Sequence, residues 1–203
     1  MDNRKQCVVV SGLKSNYEEV TSGIPQVSVI GPLLFLIFIN DLPDNIVSLI
    51  KLFADDTKLF ARIRTLQDCN RLQADLTRLQ DWTRQWLLLF NASKCKVLRI
   101  GHNPPSATHT MDTIEGQSRA LEESFCERDL GVLIDNKLKF SQQVDAVASK
   151  ANRLLGLIRR TFTYLDSDSL VLLYKSLVRP HLVYANVLWS ISFKKDINKL
   201  EGV

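Results

Sequence analysis

The sequence predicts an α+β fold. Short β-prone runs separated by turn signals recur through the first 140 residues, a long amphipathic helical pattern interrupts them from Thr65, and helical periodicity takes over beyond Ser141. With 203 residues and 45% hydrophobic content, the chain can bury a core, and its length suits one domain or one and a part. The patterns divide it into a strand-bearing part, residues 1–140, and a helical part, residues 141–203.

The elements follow in order. Residues 7–10 are a short β-branched run closed by Ser11-Gly12, and a second boundary at Ser22-Gly23-Ile24-Pro25 makes this a hairpin entering a tight loop. Gly31-Pro32 opens an apolar segment to Ile39, expected as a buried helix with Pro32 in its first turn and Asn40-Asp41-Leu42-Pro43 as its stop. Residues 50–60 place two apolar arms around an acidic centre, which is a hairpin pattern. Thr65 is placed to cap a helix with Asp68 three residues on. Leu66, Cys69, Leu72, Leu76, Leu79, Trp82 and Trp86 then recur at helical spacing. That stripe packs onto a sheet, or else forms a short coiled-coil seam.

Residues 95–100 predict a strand and residues 101–117, rich in turn formers, a loop. Residues 130–134 predict another strand, with a turn at Asp135-Asn136-Lys137 and residues 138–140 as the returning arm. Ser141 is positioned to cap a helix reaching about Thr161. Asp166 or Ser167 starts another to about Val178, and Pro180 begins a third segment through Trp189.

Charge is unevenly spread. The net charge is +4, but from Lys137 onward eleven Lys and Arg face five Asp and Glu, so that segment carries +6 and the remainder −2. The C-terminal third is the better candidate for touching phosphates. Four widely spaced cysteines, with no C-x-x-C pair, suggest neither a zinc ribbon nor a disulfide framework. The N-terminus lacks the long apolar region of a secretory signal, and the longest apolar run, residues 33–39, falls far below the roughly 20 residues of a membrane span. An intracellular protein, in nucleus or cytoplasm and without a membrane partner, is the expectation.

Asp55 and Asp56 are the candidate metal ligands. Neighbouring strand residues point to opposite faces, so two consecutive carboxylates serve one cation only where the backbone turns beneath them, as at a hairpin tip. Mg²⁺ takes one or two carboxylates together with phosphate oxygens and water. Acidic pairs in turns are more often solvated, and the apolar arms on both sides are what separate this pair from a free loop.

The context of the pair resembles a known family. Residues 22–35 (Ser-Gly-Ile-Pro-Gln-Val-Ser-Val-Ile-Gly-Pro-Leu-Leu-Phe), then Ile39-Asn40-Asp41-Leu42, then Phe53-Ala54-Asp55-Asp56-Thr57-Lys58-Leu59, resemble the reverse transcriptases of LINE-type, non-LTR retrotransposons. The likeness continues through Leu79-Gln80-Asp81-Trp82, residues 91–96, Asp129-Leu130-Gly131-Val132 and residues 174–180, so nearly the whole chain is covered.

The resemblance implies a partial palm over 1–140 and a thumb-like region over 141–203, with template-directed nucleotidyl transfer assisted by two metal ions. Mg²⁺, or Mn²⁺ in its place, would be held by Asp55 and Asp56, with Asp55 the more direct ligand. RNA template, DNA primer and deoxynucleoside triphosphates are the implied partners. Gly23, Pro25 and Gln26 match the segment that contacts template and incoming nucleotide, and Phe53 matches an aromatic near the primer end, with simple packing as its alternative. The position after Gln26 is ordinarily glycine, and Val27 departs from it. Lys94 matches a position implied to donate a proton to pyrophosphate, with a solvated or phosphate-pairing lysine as the alternative. A hairpin over about 128–140 resembles the element that holds the primer. In the thumb-like helices, Lys150, Arg153, Arg159, Arg160, Lys175 and Arg179 are candidate backbone contacts, or else solvated helix faces.

A palm of this family also needs an aspartate on a strand upstream of Ser22, where only Asp2, Glu18 and Glu19 occur, none in a matching apolar strand. The fingers and the first catalytic strand are therefore expected to be missing, and the chain to polymerise little or not at all by itself. Three readings follow: an active reverse transcriptase fragment completed by another chain, a non-catalytic nucleic-acid-binding remnant, or an inert product of a decayed element.

Overall fold

A computed structural model describes residues 5–20, 29–102, 105–189, 191 and 193–203 as a mixture of helices and small two-stranded sheets. The chain forms two compact units, Met1–Ala61 and Arg62–Val203.

In the first unit two short arms nest. β1 (Lys5–Gln6) pairs antiparallel with β4 (Glu18–Glu19), and inside them β2 (Val9–Val10) pairs with β3 (Leu13–Lys14). Ser11 and Gly12, at φ 51° and 82°, make the two-residue turn whose left-handed backbone matches the twist of paired strands. The predicted loop at Ser22-Gly23-Ile24-Pro25 lies outside the described residues. α1 (Gly31–Phe38) has Pro32 in its first turn, as the Gly-Pro signal predicted.

The expected burial of that helix does not hold: Leu33, Leu36 and Ile37 are all more than half exposed, while Gly31, Ile39 and Leu42 are buried. A helix apolar on every side needs cover on every side, and a unit of two-residue and five-residue strands has too little surface to supply it. β5 (Leu49–Phe53) and β6 (Asp56–Phe60) then form the predicted hairpin.

The second unit opens with α2 (Leu66–Gln85), started by a full capping box. Asp68 N–H donates to Thr65 Oγ1 at 3.3 Å, while Asp68 Oδ2 accepts from the backbone N–H groups of Thr65 and Arg64, both at 2.9 Å. Those bonds hold the Asp68 carboxyl below its ordinary pKa. The apolar stripe is only partly the buried face: Cys69 and Leu79 are buried, together with Asp75, Gln80 and Thr83, whereas Leu66 and Trp86 are exposed.

β7 (Lys96–Leu98) pairs parallel with β10 (Glu122–Ser124), and β8 (Thr110–Asp112) pairs antiparallel with β9 (Ser118–Ala120). The predicted 101–117 loop thus contains a strand. Gln73 stabilises it from α2, accepting from Thr110 N–H and donating to Thr110 carbonyl, both at 2.9 Å, as a neighbouring strand would.

β11 (Cys126–Asp129) pairs antiparallel with β12 (Val132–Asp135) around Leu130-Gly131. The predicted returning arm at 138–140 is therefore not a strand; the partner of β12 lies upstream. The reason is Asp135, whose carboxylate accepts from the N–H groups of Lys137, Lys139 and Phe140 at 2.7–3.2 Å and folds those residues into a compact turn.

That turn feeds α3 (Ser141–Thr161). Its N-cap is Phe140, at φ 57°, rather than the predicted Ser141. Ser141 Oγ instead donates to Asp196 at 2.7 Å. α4 (Ser167–Leu173) is capped by Asp166 as predicted, and runs into a π turn over Tyr174–Val178. Arg179, directly after it, donates its N–H back to the Tyr174 carbonyl, and the next residue, Pro180, has no N–H to donate. The third helical segment is shorter than predicted: α5 (Arg179–Val183) ends before Tyr184, and turns follow through Leu188. α6 (Lys194–Glu201) was not anticipated.

Two clusters hold this region together, Val132 with Val144 and Trp189, and Ala151 with Ile158 and Val178. All four cysteines are free thiols. No helix among the described residues is long and apolar enough to cross a membrane.

Two stability predictions follow from the second unit. Asp135→Ala removes the charged acceptor of three backbone donors and should cost roughly 1–3 kcal/mol of unfolding free energy, read by urea denaturation at neutral pH. His109 is 6% exposed with Nδ1 unpartnered, and burial, with the Arg99 charge beside it, lowers its pKa from 6.5. The unfolded imidazole then binds a proton that the folded one refuses. Stability from this group is complete above pH 6.5 and is lost as pH falls from there toward the lowered folded value. Denaturation midpoints should decline over that window, and His109→Phe should flatten the decline.

Candidate functional site

The β5–β6 hairpin sorts its residues by register. Leu49 faces Phe60, Lys51 faces Lys58 and Phe53 faces Asp56 on one side, while Ile50 faces Leu59 and Leu52 faces Thr57 on the other. The second face is half-buried throughout. On the first, Leu49, Phe53 and Phe60 are 59%, 60% and 46% exposed. The half-buried face anchors the hairpin and leaves the other for solvent or a ligand.

Ala54 and Asp55 make the two-residue turn, with Ala54 in the left-handed region at φ 49°. A side chain larger than a methyl group would crowd that conformation further. The turn takes Asp55 out of the strand ladder while Asp56 occupies its first rung, opposite Phe53. Two adjacent carboxylates thereby escape the strict alternation of a strand. Both are exposed.

As a donor set the pair suits a hard divalent cation that draws its remaining ligands from phosphate and water. No group of three or more His, Cys, Asp or Glu side chains converges as a metal site among the described residues.

Gly23, Pro25 and Gln26 lie outside the described residues, as does Val27. Phe53 and Asp56 are brought together as directly opposite neighbours, and Asp55 adjoins them in the turn. Lys94 belongs to the second unit, in a turn closed by Asn91: Oδ1 of Asn91 accepts from Ser93 N–H at 3.1 Å, and Lys94 N–H donates to the Asn91 carbonyl at 3.0 Å. Ala92, buried, pins that turn, and Lys94 stands exposed.

Lys150, Arg153 and Arg160 share the outward stripe of α3, and Arg159 lies about 100° round the helix from Arg160. All four are exposed, and Arg160 Nε also donates to Gly156 carbonyl at 3.2 Å. Arg159 and Arg160 sit in the last turn of α3, where cations favour the helix C-terminus. Lys175 and Arg179, also exposed, flank buried Val178.

Two features were not picked out from the sequence. Lys51 and Lys58 are paired across the hairpin on the face that bears Asp56. Like charges directly opposite are unfavourable in a bare sheet, and an anionic neighbour offsets that repulsion. Their equal offsets from the Ala54-Asp55 turn were readable once the turn was fixed. The second is Tyr184, whose hydroxyl donates to the Leu130 carbonyl at 2.8 Å from 54 positions away; local sequence carries no sign of it.

A profile of the reverse transcriptase (RNA-dependent DNA polymerase) family matches residues 4–158. The RNA-directed DNA polymerase from mobile element jockey of Drosophila melanogaster is 29% identical over 213 residues, covering 98% of this chain and 23% of that protein. Its counterpart in Drosophila funebris is 27% identical, covering 98% and 23%. The probable RNA-directed DNA polymerase from transposon X-element of Drosophila melanogaster is 26% identical, covering 100% and 23%. The chain spans about a quarter of the length of these curated relatives. No solved structure matches the chain at a significant level.

Proposed function

The chain belongs to the reverse transcriptase (RNA-dependent DNA polymerase) family, among the non-LTR element polymerases, and on that premise we propose that it is the part of such an enzyme carrying the acidic metal-binding hairpin. The observation that carries the reading is the hairpin tip, where a two-residue turn sets Asp55 beside Asp56 with Phe53 directly across the ladder. In this proposal residues 1–140 are palm and residues 141–203 are thumb-like.

Asp55 and Asp56 would hold Mg²⁺ or Mn²⁺, Asp55 the more directly because the turn releases it from the ladder. The bound metal supplies Lewis-acid stabilisation of charge on the reacting phosphate. Phe53 presents an exposed ring beside Asp56, suited to stacking near a primer terminus. Lys51 and Lys58 add positive charge on the same face, favouring a phosphate strand along it. Gly23, Pro25 and Gln26 position template or nucleotide, and exposed Lys94 serves as the proton donor to pyrophosphate. RNA template, DNA primer and deoxynucleoside triphosphates are the proposed partners, in an intracellular setting.

A third carboxylate from another strand is required, and the pair is the whole of the acidic set at the described hairpin. The proposed activity is therefore that of a larger assembly. A second reading, nucleic-acid binding without catalysis, is favoured by the exposed cations of α3 and the π turn, Arg153, Arg159, Arg160 and Lys175. They suit contacts to phosphate, which position a duplex without reading its sequence.

In primer-extension assays with Mg²⁺ or Mn²⁺ the purified chain should show no synthesis; template-dependent extension that requires Asp55 would refute the claim that it is incomplete. Substituted for the matching segment of the jockey polymerase, it should support synthesis on an RNA template. Asp55→Asn should lower that rate about a hundredfold or more, the scale of losing one electrostatic contact to a transition state. Arg159→Glu with Arg160→Glu should weaken duplex binding and reduce the slope of log K against log salt by about 2. An unchanged slope would argue against those two residues as phosphate contacts.

A further inference from the structure

The β11–β12 hairpin turns on a strained pair. Leu130 and Gly131 sit at φ 45° and 87°, the left-handed combination of a type I′ hairpin turn. Glycine takes it freely, but leucine at the first position sets its Cβ against its own backbone. Such a conformation persists where surrounding contacts over-determine it.

Tyr184 supplies those contacts. Its hydroxyl donates to the carbonyl of Leu130, the strained residue itself, at 2.8 Å. A Cβ at Gly131 would lie 3.4 Å from Tyr184 Cε1, so the ring sits directly against the turn. Tyr184 is fixed in its own right: Trp189 Nε1 donates to its carbonyl at 2.9 Å, and Trp189 is buried with Val132 of β12 and Val144 of α3. The next residue, Ala185, is also left-handed, at φ 53°, and packs against the same cluster. Yet Tyr184 is 52% exposed, so filling a core does not account for it. Behind the tip, buried Gln143 of α3 accepts from Leu133 N–H at 2.9 Å, which ties the body of β12 down and leaves the turn as the part needing a separate hold.

We propose that Tyr184 is a positioning residue that latches the Leu130-Gly131 tip to the segment between α5 and α6, so that hairpin and helices meet a bound primer strand as one body. The identity of the ligand rests on the function proposed above; the latch does not. Leu130, 46% exposed at the tip, is the side chain whose placement the latch controls.

The test uses the full chain and Tyr184→Phe, which keeps the ring and removes the hydroxyl. Amide exchange at Val132, on the rung that closes the turn, should accelerate about fivefold, the size expected for one net hydrogen bond. Trp fluorescence and melting temperature should hold. Gly131→Ala, which sets a methyl group against the ring at an unfavourable φ, should accelerate exchange further. Unchanged exchange in Tyr184→Phe overturns the latch.

The second arm titrates a primer–template duplex carrying 2-aminopurine at the primer 3′ end. Tyr184→Phe should lose the terminal-base signal while overall affinity stays within about twofold, since the phosphate contacts are untouched. Faster exchange with the signal intact overturns the primer-positioning role. A wild-type chain that binds no duplex overturns the primer-positioning role together with the reading of nucleic-acid binding without catalysis, and the exchange result still decides the latch.

Discussion

The second unit is organised by the buried stripe of α3. Val144, Val147, Ala148, Ala151 and Ile158 recur at helical spacing and are almost wholly removed from water. Burying a Val or Ile side chain contributes roughly 1.5–3 kcal/mol, and the alanines let partners approach the helix axis closely. At the N-terminal end the stripe receives Val132 and Trp189, and farther along it receives Val178 of the π turn. The β11–β12 hairpin, the π turn, α5 and α6 are thus all placed by one helix face. Polar contacts fix their orientation: Gln143 to Leu133, Ser141 to Asp196 and Lys199 to Asp145.

The first unit has the opposite character. Few hydrophobic side chains among its described residues are buried, and α1 and one face of the β5–β6 hairpin stay open to solvent. A sheet of two strands is marginal as an independent structure, and three or more strands or a packed helix are ordinarily needed to support it. The β5–β6 hairpin keeps its place through the half-buried face of Ile50, Leu52, Thr57 and Leu59. The acidic tip is built by local rules alone, because a two-residue turn at Ala54-Asp55 suffices to bring consecutive carboxylates to one end of the ladder.

Charge and strain are distributed to match. The cations of α3 and the π turn stand exposed on elements anchored by their apolar faces. Left-handed residues other than glycine mark the tips and junctions: Ser11, Ala54 and Leu130 in hairpin turns, Phe140 at the entry to α3 and Ala185 after α5. At Phe140 the strain is held by the Asp135 carboxylate, and at Leu130 by Tyr184.

Sequence by itself determined what short-range chemistry governs: the hairpins at Ser11-Gly12 and around Ala54-Asp55, the Thr65–Asp68 capping box, the Gly31-Pro32 helix start and the Asp166 cap. Each of these signals lies within a few residues of the structure it specifies. The family was legible too, because its motifs are runs of adjacent residues. Tertiary structure decided which distant groups meet. Gln73 serves as a strand partner for Thr110, Asp196 draws Ser141 away from the capping role its position suggested, and residues 126–129 rather than 138–140 pair with β12. Tyr184 reaches a turn 54 positions upstream. Periodicity and turn propensity report on neighbours in the chain, whereas these contacts arise only when packing on α3 brings remote segments together.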